Sequence, residues 1–106
     1  MGIIGQWEPA EPGVKRKIFA PGKELMMMEV HFEEGAEGYQ HSHPHEQFSY
    51  CLKGKIEFTI DGVVQLLHEG ETIAIPGGAR HGVKALEPSI LLDAFTPLRK
   101  DLLGEE

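Results

Sequence analysis

The chain has 106 residues, a formal net charge of −7 and one cysteine. That length supports a single domain, residues 1–106, with one core, and the acidic balance excludes nucleic acid as a partner. No window reaches the run of about 18 apolar residues that a membrane span needs. Cys51 has no partner for an internal disulfide, and no charged-then-apolar leader opens the chain, so a cytoplasmic location is expected.

Residues 1–12 and 104–106 are expected to be the loosest parts. Lys15-Arg16-Lys17 is too short a basic run to bind phosphates and is read as a solvated strand within a strand-like segment at 15–19. A second strand-like segment covers 25–32. Phe48, Tyr50 and Leu52 then alternate with Ser49 and Cys51, which places apolar groups opposite Gln47. Ile56, Phe58 and Ile60 alternate with polar residues, a half-buried strand. Asp61-Gly62 signals a tight hairpin, residues 63–67 return, Glu69-Gly70 turns again, and 72–75 runs to Pro76-Gly77-Gly78. A strand fits 89–95, and only 97–103 suggests a short helical turn. Short strands punctuated by 13 glycines and 7 prolines indicate an all-β sandwich or barrel. Ile90, Leu91, Leu92 and Ala94 are apolar on both parities, so that strand is covered on both faces, by a second sheet or by a second subunit. A sheet-to-sheet homodimer is expected on that ground.

The stretch His41-Ser42-His43-Pro44-His45-Glu46-Gln47 carries the chemistry. On an extended strand its same-parity side chains share a face, and two such imidazoles can converge on one ion at about 2.1 Å. His41 and His43 have that spacing. Gln47 and His45 both keep the parity and are alternative further ligands, although Pro44 marks a bend before His45. His81, just past the Pro76-Gly77-Gly78 turn, is the best candidate from elsewhere in the chain. His31 and His68 are read as surface histidines.

Gly35, His41, His43, Gln47 and Gly54, at their spacing, resemble the first cupin motif; Gly70, Pro76-Gly77-Gly78 and His81 resemble the second. The resemblance implies a double-stranded β-helix, or jelly-roll, barrel with one divalent metal ion inside, motifs at 35–54 and 70–85, and Gln47 rather than His45 as ligand. Gln47 stands where the family usually has glutamate, and Ala85 where it has asparagine. Three imidazoles and an amide are all neutral, so an ion there keeps its full charge and suits Lewis-acid work and anion holding. This departs from the two-histidine-one-carboxylate set of oxygen-activating iron sites. Nickel, manganese, iron and zinc all suit such ligands.

Farther on, Asp93 and Phe95 share a strand face with Leu91, and Arg99 follows. A carboxylate on an apolar face is costly without a partner. Burial would raise its pKa, and a nearby dication or Arg99 would lower it. The run from Leu92 to Leu103, the His41–Gln47 segment and Gly13-Val14-Lys15-Arg16-Lys17 resemble the pectin-degradation protein KdgF family. That resemblance implies ring opening of 4,5-unsaturated uronate monosaccharides, small anionic sugars from pectin or alginate, to linear keto forms. It also implies metal ligands His41, His43, Gln47 and His81, with Asp93, Phe95 and Arg99 at the substrate site. An iron cupin dioxygenase and a non-catalytic sugar-binding cupin are the competing readings.

Overall fold

Alternation of apolar and polar residues builds two antiparallel sheets that face each other. The computed structural model describes residues 4–104. Its strands are β1 (Trp7–Pro9), β2 (Val14–Ile18), β3 (Met26–Phe32), β4 (Glu37–His41), β5 (Glu46–Lys53), β6 (Lys55–Ile60), β7 (Val63–His68), β8 (Thr72–Ile75), β9 (His81–Ala85) and β10 (Ser89–Thr96), with a short helix α1 (Lys100–Leu103). One sheet has the order β1-β2-β3-β10-β5-β8 and the other β4-β9-β6-β7. This is the all-β double-sheet barrel expected, with the short C-terminal helical turn.

β10 runs between β3 and β5 at the centre of the larger sheet. Its inward residues Ser89, Leu91, Asp93 and Phe95 are buried, and Ile90, Leu92 and Ala94 are half-buried on the outer face. Ile18, Ile56, Phe58, Ile75, Leu91 and Phe95 fill the space between the sheets. Each such side chain contributes about 1.5–3 kcal/mol of apolar burial. The β6–β7 hairpin forms where Asp61-Gly62 predicts it. Both residues have positive φ, 47° and 81°, as a type I′ turn requires, and Ile60 pairs with Val63.

Four expectations are corrected. First, residues 7–9 are not loose: β1 pairs with β2 in the register Trp7–Lys17 and Glu8–Arg16. Trp7 also stacks edge-on against His31 at 4.5 Å, with the Lys15 ammonium 5.0 Å from its ring centre. Residues 1–3, 105 and 106, which the same expectation covered, lie outside the described residues. Second, β4 is a strand the sequence did not announce, because its residues are mostly exposed and polar and carry no alternation. Third, His41 and His43 do not share one strand. His41 ends β4 in the smaller sheet, and His43 lies in the connection that crosses to β5 in the larger one. Fourth, Arg16 is not on a solvated face: it alternates with buried Val14 and Ile18 and is half-buried. No helix among the described residues is long and apolar enough to cross a membrane.

Candidate metal centre

The crossover between the sheets gathers the histidines. His41 comes from the end of β4, His43 from the connection and His81 from the start of β9, where it pairs with His41. The Pro76-Gly77-Gly78 turn seats itself on that connection. Gly78 N–H donates to the His43 carbonyl at 2.8 Å. A Cβ on Gly77 would lie 2.3 Å from the Pro44 carbonyl oxygen, so only glycine allows this approach. The ring centres lie 5.5 Å (His41–His43), 4.4 Å (His41–His81) and 4.9 Å (His43–His81) apart. One ligand atom from each falls within 4.8 Å of the other two.

Backbone carbonyls fix the tautomers. The Nδ1–H groups of His41, His43 and His81 donate to the carbonyls of Tyr39 (2.8 Å), His45 (3.1 Å) and Ala79 (2.9 Å). A carbonyl only accepts, so each Nδ1 carries the proton and each Nε2 presents a lone pair. Two observations test whether a cation fits those lone pairs. His81 Nε2 is buried with no hydrogen-bond partner. His43 Nε2 lies 3.2 Å from Gln47 Oε1, and the Gln47 amide is oriented the other way by its own donation, Nε2–H to Ser49 Oγ at 3.0 Å. Two acceptors therefore face each other. Protonated His43 would reconcile them, but burial, with the Arg99 charge second, holds its pKa down to about 4. A metal ion there would satisfy the lone pairs of His43 and His81 and the Gln47 carbonyl together. His81 is likewise pushed below the ordinary imidazole range, chiefly by burial.

Behind Gln47 the network continues. Ser49 donates to Asp93 Oδ1 at 2.6 Å, because Ser49 and Asp93 are register partners on β5 and β10. Asp93 is 6 % exposed. Burial raises its pKa from 3.8 to about 6, against the lowering effects of the Ser49 bond, the Arg99 charge and Gln47. Phe95, on the same face, stacks edge-on to His43 at 5.7 Å. Arg99 places its guanidinium 5.1 Å from the Phe95 ring centre and pairs through Nη2 with Asp101 at 2.7 Å. Gln47, Asp93, Arg99, His41 and His81 all line one cavity of about 290 Å³ between the sheets. A shallower depression of about 1130 Å³ runs outside along Trp7, Lys15 and His31 and holds no such cluster.

The sequence-derived site residues His41, His43, Gln47, His81, Asp93, Phe95 and Arg99 thus come together. His45 is not one of the three histidines whose ligand atoms lie within 4.8 Å of one another, and its buried Nδ1 has no hydrogen-bond partner. His68 is exposed and bonded to Glu71, and His31 is half-buried against Glu29. Two residues went unrecognised. Ser49 shares the parity of Gln47, which is its only signal. Arg16 shares the parity of Val14 and Ile18 and was masked by its basic neighbours.

Comparison with known proteins agrees with this architecture. A model of the family described as "Cupin domain" matches residues 28–95. The pectin degradation protein KdgF of Dickeya dadantii (strain 3937) is 40% identical over 99 residues, covering 92% of this chain and 90% of that protein. The structure of KdgF from Halomonas sp. superposes with a TM-score of 0.86 at 36% identity, over 96% of this chain and 99% of the other. An RmlC-like cupin from Shewanella frigidimarina has the same TM-score and identity over 92% and 87% of the two chains.

Proposed function

The chain belongs to the cupin family and, within it, to the KdgF branch, and from that membership we propose a metal-dependent enzyme of pectin or alginate breakdown. Its reaction is the opening of 4,5-unsaturated uronate monosaccharides to linear keto forms. The observation that carries this reading is the buried run Gln47–Ser49–Asp93, which sets a titratable carboxyl in the cavity beside three converging imidazoles.

A divalent ion held by His41, His43, His81 and the Gln47 carbonyl would supply Lewis-acid polarisation of a sugar oxygen. The remaining work falls to the chain's own groups. Arg99 directs its Nε and Nη2 at Asp101 and offers the substrate carboxylate the donors of its remaining Nη1–Nη2 edge. Phe95 packs against the sugar ring and holds Arg99 in place through its face. Burial holds the Asp93 pKa near 6 in the metal-free chain and a bound cation would lower it, so Asp93 enters the reaction as the carboxylate that accepts a proton and then returns it. Its carboxylate takes the proton of the anomeric hydroxyl as the C1–O5 bond breaks. The enolate so released at C5 then takes a proton at C4 from the Asp93 carboxyl. One proton leaves O1 and one arrives at C4, so the product is an isomer of the substrate and no oxidant enters. The neutral amide in place of a carboxylate ligand supports this non-redox chemistry over oxygen activation.

Exposed Met27, Phe48 and Leu52 on the outer face of the six-stranded sheet support a sheet-to-sheet homodimer, which sedimentation analysis checks. The function itself is tested by the ultraviolet absorbance of the conjugated enol ether. Metal-restored protein should accelerate its loss and Asp93→Ala should abolish the acceleration. A native rate equal to the spontaneous one would sink the proposal.

A further inference from the structure

An arginine inside a barrel calls for a reason, since charged groups are rarely buried unless they are paired or used. Arg16 pairs in register with Val30, and Val30 with Leu91. All three line the cavity that also holds Gln47, Asp93 and Arg99. Along β10 the inward rows run Leu91, Asp93, Phe95, and the chain then reaches Arg99. Arg16 sits in the Leu91 row, whereas Gln47 pairs with Phe95. Four residues of strand separate those rows by about 13 Å. Arg16 thus belongs to the Leu91 row of the cavity lining, whereas the Arg99 guanidinium sits 5.1 Å from the ring centre of Phe95, and the Asp93 row lies between the Leu91 and Phe95 rows.

Each arginine has a carboxylate on one edge only. Arg16 donates through Nε to Glu8 at 2.9 Å, and its side chain is 22 % exposed against 14 % for Glu8. Among the described residues no protein acceptor takes the Arg16 Nη N–H groups. Here Glu8 fixes one nitrogen and the other two retain their donors.

We propose that Arg16 is a second ligand-binding residue, which takes the end of an open-chain sugar acid remote from the carboxylate held at Arg99. The cavity then selects linear six-carbon acids with oxygen at both ends, above all dicarboxylates. An open chain spans more of the separation between the two rows than the closed ring does, so Arg16 engages more fully as the chain opens, and interactions made late favour the reaction. The identity of the sugar acid rests on the ring-opening reading; the pairing of Arg16 with a distal oxygen does not.

The test is calorimetric binding of galactarate and galactonate to the metal-restored protein, which differ only at the distal carbon. Native protein should prefer galactarate by about tenfold, equal to about 1.4 kcal/mol. Arg16→Gln should erase the preference with metal content unchanged, and Arg16→Lys should keep part of it. Glu8→Gln, which keeps an acceptor for the Arg16 Nε and removes the competing negative charge, should tighten galactarate further. No preference in the native protein, a preference intact in Arg16→Gln, or unchanged galactarate binding in Glu8→Gln each overturns the proposal. Failure of the uronate reading shows separately, as an Arg16-dependent preference without turnover of the unsaturated uronate.

Discussion

Replacing Asp93 with asparagine should remove a pH-dependent instability from the metal-free protein. The Asp93 carboxyl is buried, and its pKa stands at about 6 in the fold against 3.8 outside it. A raised carboxyl pKa means the native state holds the proton more tightly than the unfolded chain does. Its stabilising effect is complete below about pH 3.8 and is lost as pH rises through 6. The difference of roughly two pKa units amounts to about 3 kcal/mol. Asparagine keeps the shape and the acceptor for Ser49 but never ionises. The assay is urea unfolding with chelator present, for both proteins, at steps from pH 4 to pH 7. Stability of the native sequence should fall relative to Asp93→Asn by about 2–2.5 kcal/mol across that window, the rest of the effect lying below pH 4. Other groups titrate there too, His43 among them, and largely cancel in the difference. Parallel profiles, or a variant that loses more stability toward neutrality, would refute the claim that burial dominates the Asp93 environment.

Three further perturbations probe the rest of the site. Ser49→Ala strips Asp93 Oδ1 and the Gln47 amide of their shared partner; it should cost about 1–3 kcal/mol in unfolding and weaken metal binding by about 10–100-fold in a chelator competition. Gly77→Ala drives a Cβ into the Pro44 carbonyl, so the His43 segment must shift, at about 1–3 kcal/mol and with a lower metal affinity by the same competition. Arg99→Lys replaces a fork with a point charge; steady-state kinetics should show KM for the uronate raised by about tenfold or more, the scale of one lost charge-assisted hydrogen bond.

Much of this architecture is written locally in the chain. Asp61-Gly62 names its own hairpin, and the alternation from Ile56 to Ile60 names its strand. The two histidines at positions 41 and 43 announce a metal site even though they do not lie on one strand, because the crossover after His41 preserves their convergence. Asp93 stands out as a carboxylate on an apolar face. What escaped depends on partners far away in sequence. Glu37–His41 is a strand because β9 pairs with it, not because of its own pattern. Trp7–Pro9 is held by β2 and by stacking on His31. Ser49 matters because Asp93 lies opposite it across 44 residues of chain. Arg16 reads as one of three surface cations until the strand's parity turns it inward.

The central claim is that Asp93 delivers the proton that completes ring opening beside a metal held by His41, His43, Gln47 and His81. Its most direct measurement is the proton magnetic resonance of a 4,5-unsaturated monouronate turned over in D2O by metal-restored protein. Early product should be in the linear keto form, formed faster than spontaneously, with one deuteron on a single face of C4. Equal labelling of both faces, or no acceleration, would contradict it.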